Sequence, residues 1–209
     1  MRGVIAVQEA TDAYLNIKTE DIIYFDSDSE AYDDYFESEP TDYKDLEQLR
    51  KYYQPICAQP YFIDYGCGTG RALYFIHHFY QLPVSGIEVN PDTFKLCEMN
   101  RRSYLAAHPS PQPLQLFHMP AEHYILTEEH NTFYFFNPFS LEIFTQVMNK
   151  IIQSYHDSPR LMELILYYPL EEYVDYLTYQ TPFRRVKTID LPWHPSKTDR
   201  FDIFHTLNY

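Results

Sequence analysis

Phe62-Ile63-Asp64-Tyr65-Gly66-Cys67-Gly68-Thr69-Gly70-Arg71 is the stretch that decides how this 209-residue chain folds. Its first half, with Tyr61, reads as a short buried strand, and its second half places three glycines at alternate positions. Glycine lets the backbone turn tightly and brings bare N–H groups against a ligand with no Cβ in the way. The chain has only 5 Gly, so a cluster of three is informative. The spacing is G-x-G-x-G with Arg71 next. A dinucleotide turn needs G-x-G-x-x-G and a P-loop ends in Gly-Lys-Ser/Thr, so neither fits.

Outward from this turn the pattern alternates. A helix is expected from Arg71 to Tyr80, then a strand from Val84 to Val89. Asn90 and Pro91 form a cap followed by proline at the first helical position, starting a helix that runs through Cys97 to about Leu105. After a loop from Pro109 to Pro113, Leu114 to Phe117 and Phe133 to Phe136 read as strands. Ser140 caps a helix from Leu141 to about Tyr155, Leu161 to Tyr168 is a fifth strand, and a short helix lies near Glu171 to Tyr179. Arg184 to Leu191 and Arg200 to Leu207 read as a closing hairpin. Upstream, Thr41 is the expected cap of a helix ending near Tyr53, with Leu46, Leu49, Tyr52 and Tyr53 on one face, and Pro55 and Pro60 bracket the next loop. Strands alternating with helices imply a mostly parallel sheet covered on both faces. Ligands of such sheets sit beyond the carboxyl ends of the strands, where strand order reverses. Glu88 falls at such an end, and a carboxylate there can accept hydrogen bonds from a ribose diol.

The glycine stretch from Phe62 to Gly70 resembles the first motif of the class I S-adenosylmethionine-dependent methyltransferases, and Gly86-Ile87-Glu88-Val89-Asn90 resembles the second. Leu116 to Glu122 stands where that family places its adenine-contacting loop. Members often carry an acidic residue where Pro120 stands, which leaves backbone groups or Glu122 to make that contact. In outline the resemblance covers Tyr61 to Leu207. It implies an α/β, Rossmann-like, doubly wound and mostly parallel seven-stranded sheet, with an antiparallel closing hairpin and an N-terminal extension. It implies S-adenosylmethionine as cofactor and S-adenosylhomocysteine as product. Asp64 would lie near the cofactor's amino group, Gly66, Gly68 and Gly70 along its methionine and ribose, and Glu88 at the ribose hydroxyls. Tyr65, Cys67, Val89, Ala121, Glu122 and Asn137 complete the expected cofactor set. No metal is implied; His118 and His123 flank the loop without a third ligand in register.

Methyl transfer from a sulfonium asks the protein mainly to align a nucleophile and exclude water. Phe136-Asn137-Pro138-Phe139-Ser140 follows the fourth strand, where the amino- and amide-methylating branch carries Asn/Asp-Pro-Pro-aromatic. Asn137 and Pro138 match; Phe139 replaces the second proline and Ser140 the aromatic residue. Asn137 and Phe139 are the catalytic candidates on this resemblance. On the plainer reading Asn137-Pro138 ends a strand and starts a helix.

The formal net charge is −14, and residues 1–47 hold 14 acids against 3 bases. The acidic run is either, on the favoured reading, a solvated lead-in that aids solubility or a lip that attracts a basic protein or an amine as methyl acceptor. It disfavours nucleic acid, which calls for a basic footprint, although Arg184, Arg185 and Lys187 form a local basic patch. A nucleic-acid base therefore stands as an alternative acceptor, and a cofactor-binding regulatory module with little catalysis as an alternative function. We expect residues 1–55 to form an acidic extension or helical cap and residues 56–209 the methyltransferase domain. Within the extension, Asp21 to Phe25 is a short apolar piece, Ala31 to Phe36 is acidic and tyrosine-rich, and Tyr32, Tyr35 and Tyr43 either close over the site as a lid or, the favoured reading, pack against the sheet. Cys57, Cys67 and Cys97 match no disulfide or metal spacing. With no leader and no membrane-length apolar run, a soluble, cytoplasmic protein is expected.

Overall fold

The computed structural model describes residues 10–20, 34–36, 39–196 and 198–206. Asp21 to Phe25 and Tyr32 lie outside the described residues. Seven strands form one sheet: β1 (Phe62–Tyr65), β2 (Val84–Glu88), β3 (Leu114–His118), β4 (Thr132–Phe135), β5 (Glu163–Tyr167), β6 (Phe183–Asp190) and β7 (Arg200–Thr206). Their order is β3-β2-β1-β4-β5-β7-β6. β1 to β5 pair in parallel, and β7 enters antiparallel between β5 and β6. This is the expected doubly wound sheet with its closing hairpin. Strand order reverses at β1, with β2 and β3 on one side and β4 and β5 on the other.

Side chains of a strand alternate between faces, and each face of the sheet has its own apolar layer. Phe62, Tyr134, Ile165 and Phe201 pack with α1 (Asp12–Leu15), α2 (Tyr43–Tyr52), α3 (Arg71–Tyr80) and α4 (Pro91–Ala107). Ile63, Tyr65, Phe133, Phe135 and Leu164 pack with α5 (Leu141–Asp157) and α6 (Glu171–Gln180). Aromatic rings fill much of this second layer: Tyr65 stacks on Phe135 with centroids 5.2 Å apart, and Phe144 on Tyr173 at 3.7 Å. Leu15, Ile17, Leu46 and Leu49 from the acidic segment share the first layer with the sheet.

The helix starts follow local chemistry. Asn90 Oδ1 accepts from the N–H groups of Asp92 and Thr93, Pro91 opens α4, and Ser140 caps α5. α2 differs from expectation, because its cap is Asp42, whose carboxylate accepts from Lys44 N at 2.7 Å. Thr41 instead bonds the Tyr134 hydroxyl at 2.8 Å. Tyr52 does not share the buried face; it is 45% exposed, while Leu46, Leu49 and Tyr53 are covered. Tyr53 escapes the helical period because it is the extended C-cap residue. α4 runs two residues beyond Leu105, to Ala107, and several strand ends shift by one or two residues.

Candidate functional site

The glycine turn leaves β1 and enters α3 through three left-handed glycines: Gly66 (φ 72°), Gly68 (φ 57°) and Gly70 (φ 96°). Gly66 N and Cys67 N both donate to Ile87 O at 2.9 Å, which ties the turn to the end of β2. Gly68 N donates to Glu88 Oε2 at 2.9 Å, and Asn90 N to Glu88 Oε1 at 2.8 Å. A Cβ on Gly66 would stand 2.4 Å from Pro138 Cβ, so the turn lies directly against the chain leaving β4. The ends of β1, β2 and β4 thus meet around one cleft.

That cleft is walled by Gly66, Glu88, Val89, Ala121, Pro138 and Phe139 among others. A second space of about 280 Å³ lies over Asp64, Cys67, Thr69 and Arg71. The two share Gly66, Phe136 and Glu39 in their walls.

Two buried carboxyls define the electrostatics. Glu88 is 5% exposed. Burial pushes its pKa up, while the N–H groups of Asn90 and Gly68 pull it back. Asp64 is 3% exposed; among the described residues its carboxyl makes no hydrogen bond, and its oxygens keep a little access at the wall of the smaller space. Desolvation, with the Glu88 charge added, raises it to about 8. An unpartnered buried carboxyl is costly and calls for a partner. A cationic group in the cleft would satisfy Asp64, and the residual lone pairs of Glu88 remain for a diol.

The expected site residues divide by where their side chains go. Gly66, Glu88, Val89, Ala121 and Phe139 line the larger cleft, and Asp64 and Cys67 the smaller one. Gly68 touches the site through its bond to Glu88, and Gly70 is the N-cap of α3. The Tyr65 ring turns to the opposite face of the sheet, because neighbours along a strand alternate, and leaves only its backbone toward the turn. Glu122 accepts the Tyr35 hydroxyl at 2.6 Å. Asn137, at φ 40°, donates from Nδ2 to Tyr168 O at 2.6 Å. Phe139 is fully buried, with its carbonyl accepting the Tyr173 hydroxyl. His118 bonds Val89 O and stacks on Phe94. Among the described residues no group of three or more His, Cys, Asp and Glu could hold a metal ion, and no helix is long and apolar enough to cross a membrane.

Tyr35, a lid or packing candidate in the sequence, joins the wall of the cleft together with Phe36. Tyr35 forms an antiparallel bridge with Phe139, Ser140 N donates to Asp34 O at 2.7 Å, and Phe36 N to Pro138 O at 3.1 Å. This short ribbon lays Tyr35 and Phe36 along the cleft. Tyr43 serves elsewhere: its hydroxyl donates to Asp12, beside Arg71, whose Nε donates to Thr19 Oγ1 at 2.7 Å. Thr19 O in turn accepts the Thr69 hydroxyl, so residues 10–20 brace the glycine turn from outside. Met119 and Phe136 line the cleft as well.

The strand order is that of a Rossmann-like, doubly wound sheet with an antiparallel closing hairpin. No family model matches the sequence, and no curated protein matches it. Solved structures resemble its fold. The mitomycin 7-O-methyltransferase MmcR superposes with a TM-score of 0.55 at 10% identity over 78% of this chain, and the pyocyanin biosynthetic protein PhzM with 0.58 at 10% over 78%. This chain spans only 53% and 54% of those two. An RNA methyltransferase from Salinibacter ruber, in complex with S-adenosylhomocysteine, gives 0.53 at 14% identity, covering 78% of this chain and 90% of its own.

Proposed function

We propose that this protein is an S-adenosylmethionine-dependent methyltransferase acting on a nitrogen of a protein side chain or a small amine. The observation that carries this reading is the unpartnered Asp64 carboxyl beside the buried Glu88 carboxylate, facing a cleft floored by bare glycine backbone. S-adenosylmethionine suits such a cleft, having an ammonium and a sulfonium for the anionic end and a ribose diol for Glu88. Asp64 would hold the amino group, Gly66 and Gly68 would pass along the ligand without a Cβ, and Val89, Met119 and Ala121 would flank the adenine. When bound, the cofactor supplies a methyl group already activated on a positive sulfur, so no metal or covalent residue is required.

The chain's own task is to orient the acceptor and exclude water. Tyr35, tied to Glu122 and Phe139, supports a role for the segment before residue 56 as a cover over the catalytic domain formed by residues 56–209. Asn137 would lie at the acceptor side, held in its left-handed backbone by the bond to Tyr168. The net charge of −14 favours a cationic or basic acceptor. The basic patch of β6 counts for little toward nucleic acid: Arg185 pairs with Asp202, and Lys187 donates to Tyr52 O. Three buried, unpaired cysteines suit the reducing cytoplasm.

Calorimetry with S-adenosylmethionine and S-adenosylhomocysteine, followed by incubation of the protein with methyl-tritiated cofactor and fractionated cell extract, tests the proposal. Binding heat and label in protein or amine pools support it. Label confined to RNA or DNA would change the acceptor, and binding without transfer to any pool would favour a regulatory module. No heat with either compound would refute the cofactor.

A further inference from the structure

We propose that Tyr168, His194 and Asp45 form the acid–base triad of the acceptor site, with the Tyr168 phenol as the catalytic group and His194 and Asp45 as positioning residues. This assignment rests on the methyltransferase reading above and deepens it.

Placement comes first. Tyr167 ends β5 and pairs with Phe201, while Asp190 ends β6 and pairs with Arg200. Residues 191–196, which follow β6, and Tyr168 therefore lie at the same end of the sheet as the glycine turn, where β1 and β4 end at Tyr65 and Phe135. The cleft takes the ends of β1, β2 and β4, which leaves the end of β5, beside Phe136, for an acceptor. Phe136, a wall of the cleft, packs its ring 5.9 Å from that of Tyr168, and Asn137 holds the Tyr168 carbonyl. Tyr168 itself sits at φ 49°, a left-handed conformation costly for a bulky residue. Such strain persists where surroundings over-determine it and concentrates at functional sites.

The hydrogen bonds then fix the protons. Asp45 is wholly buried. It receives the Tyr167 hydroxyl at 2.5 Å and the Trp193 indole N–H at 2.6 Å, two donors on an acceptor-only carboxylate. His194 Nε2 lies 2.9 Å from Asp45 Oδ2, so that nitrogen carries the proton in the neutral ring. With that tautomer Nδ1 is left as an acceptor for the Tyr168 hydroxyl, which lies 2.9 Å from Nδ1 and 3.2 Å from Nε2. Asp199 stands 3.9 Å from Nδ1, and Lys44 lies over the Trp193 ring. Burial, with the charges of Asp199, Asp45 and Asp42, keeps Tyr168 a phenol at rest. It gives up its proton only as it takes another. The acceptor nitrogen bonds the methyl carbon, the pair of the broken carbon–sulfur bond stays on sulfur, and the acceptor's proton passes to Tyr168 Oη. The phenol proton moves to His194 Nδ1, whose cation is held by Asp45 and releases its proton to solvent at the half-buried edge.

The test uses the full chain, with ¹⁵N-histidine NMR, S-adenosylhomocysteine calorimetry and tritium transfer into extract as a function of pH. In the wild type, the His194 ring should be protonated at Nε2 and bare at Nδ1. Tyr168→Phe should bind S-adenosylhomocysteine as the wild type does, yet transfer label about 100-fold more slowly, the usual scale for a lost acid–base group. His194→Gln should lose transfer near neutrality and recover it as pH rises, a pattern that a loop brace alone would not produce. A proton on Nδ1, or wild-type transfer by Tyr168→Phe, overturns the triad while leaving the methyltransferase reading intact. Failure of the wild type to bind S-adenosylhomocysteine overturns both.

Discussion

Replacing Asp64 by Asn should make the ligand-free protein more stable and the cofactor complex weaker, and the size of the first effect follows from the structure. The Asp64 carboxyl is raised from 3.8 to about 8 by desolvation and by Glu88. In the unfolded chain it titrates near its ordinary value. Between these two points the folded protein holds a proton that the unfolded chain has lost, so stability falls as pH rises from about 4 to about 8. At pH 7 roughly three pH units of that window have been crossed, which at about 1.4 kcal/mol each is a penalty on the order of 4 kcal/mol. Asn cannot ionise and is nearly the same size, so the variant escapes the penalty, less the cost of burying an amide with few partners. Urea unfolding of both proteins at pH 5, 7 and 9 measures the difference. The variant's advantage should be small at pH 5, grow through pH 7 and level off above pH 8. An advantage independent of pH, or a less stable variant at pH 9, would refute the claim that Asp64 lacks a partner in the free protein.

Further outcomes can be checked on the same material. Gly66→Ala should lose about 2–5 kcal/mol in urea unfolding, from a left-handed residue and a Cβ 2.4 Å from Pro138. Glu88→Gln should weaken S-adenosylhomocysteine binding in calorimetry by about 1–3 kcal/mol, the scale of a charge-assisted hydrogen bond. Tyr35→Phe removes the bond to Glu122, and stopped-flow release of S-adenosylhomocysteine should be faster if the ribbon covers the bound ligand. Asn137→Ala frees the Tyr168 carbonyl, so cofactor affinity should stay near normal while label transfer into extract falls.

What could be read from the chain was what is local. The glycine turn, the Asn90-Pro91 helix start and the Ser140 cap are each written within a few residues and appear where expected. The seven strands follow from runs such as Phe133 to Phe136, because a strand buried on both faces is apolar throughout. Tyr52 was misjudged because a helical period says nothing about where the helix stops needing a buried face. Tyr35 was legible only as a lid or packing residue, and its bridge to the chain after β4, with Phe36 beside it, was not. Their partners, Phe139 and Pro138, are about a hundred residues away, and a single antiparallel bridge leaves no periodicity. The Asp45, His194 and Tyr168 cluster joins α2, the end of β5 and the β6–β7 connection, and no spacing in sequence announces such a meeting.

The same contrast separates residues that hold the fold from those that await a ligand. Asp45, Asp64 and Glu163 are all buried carboxyls. Asp45 receives the Tyr167 hydroxyl and the Trp193 indole N–H. Glu163 receives the Tyr53 hydroxyl, the Ile56 N–H and the His205 ring. Asp64, just before the glycines, has none among the described residues, while Tyr134 and Thr41, in the wall of the same space, bond each other. A sequence selected only for stability would place an apolar residue or an amide at position 64, since the carboxyl costs folding energy near neutral pH. A carboxyl there makes sense when a cation occupies the cleft during the working life of the protein, because the ligand then returns in binding what the carboxyl forfeits in folding. That is why the pH dependence of stability, measured without cofactor, bears directly on what the site was built to hold.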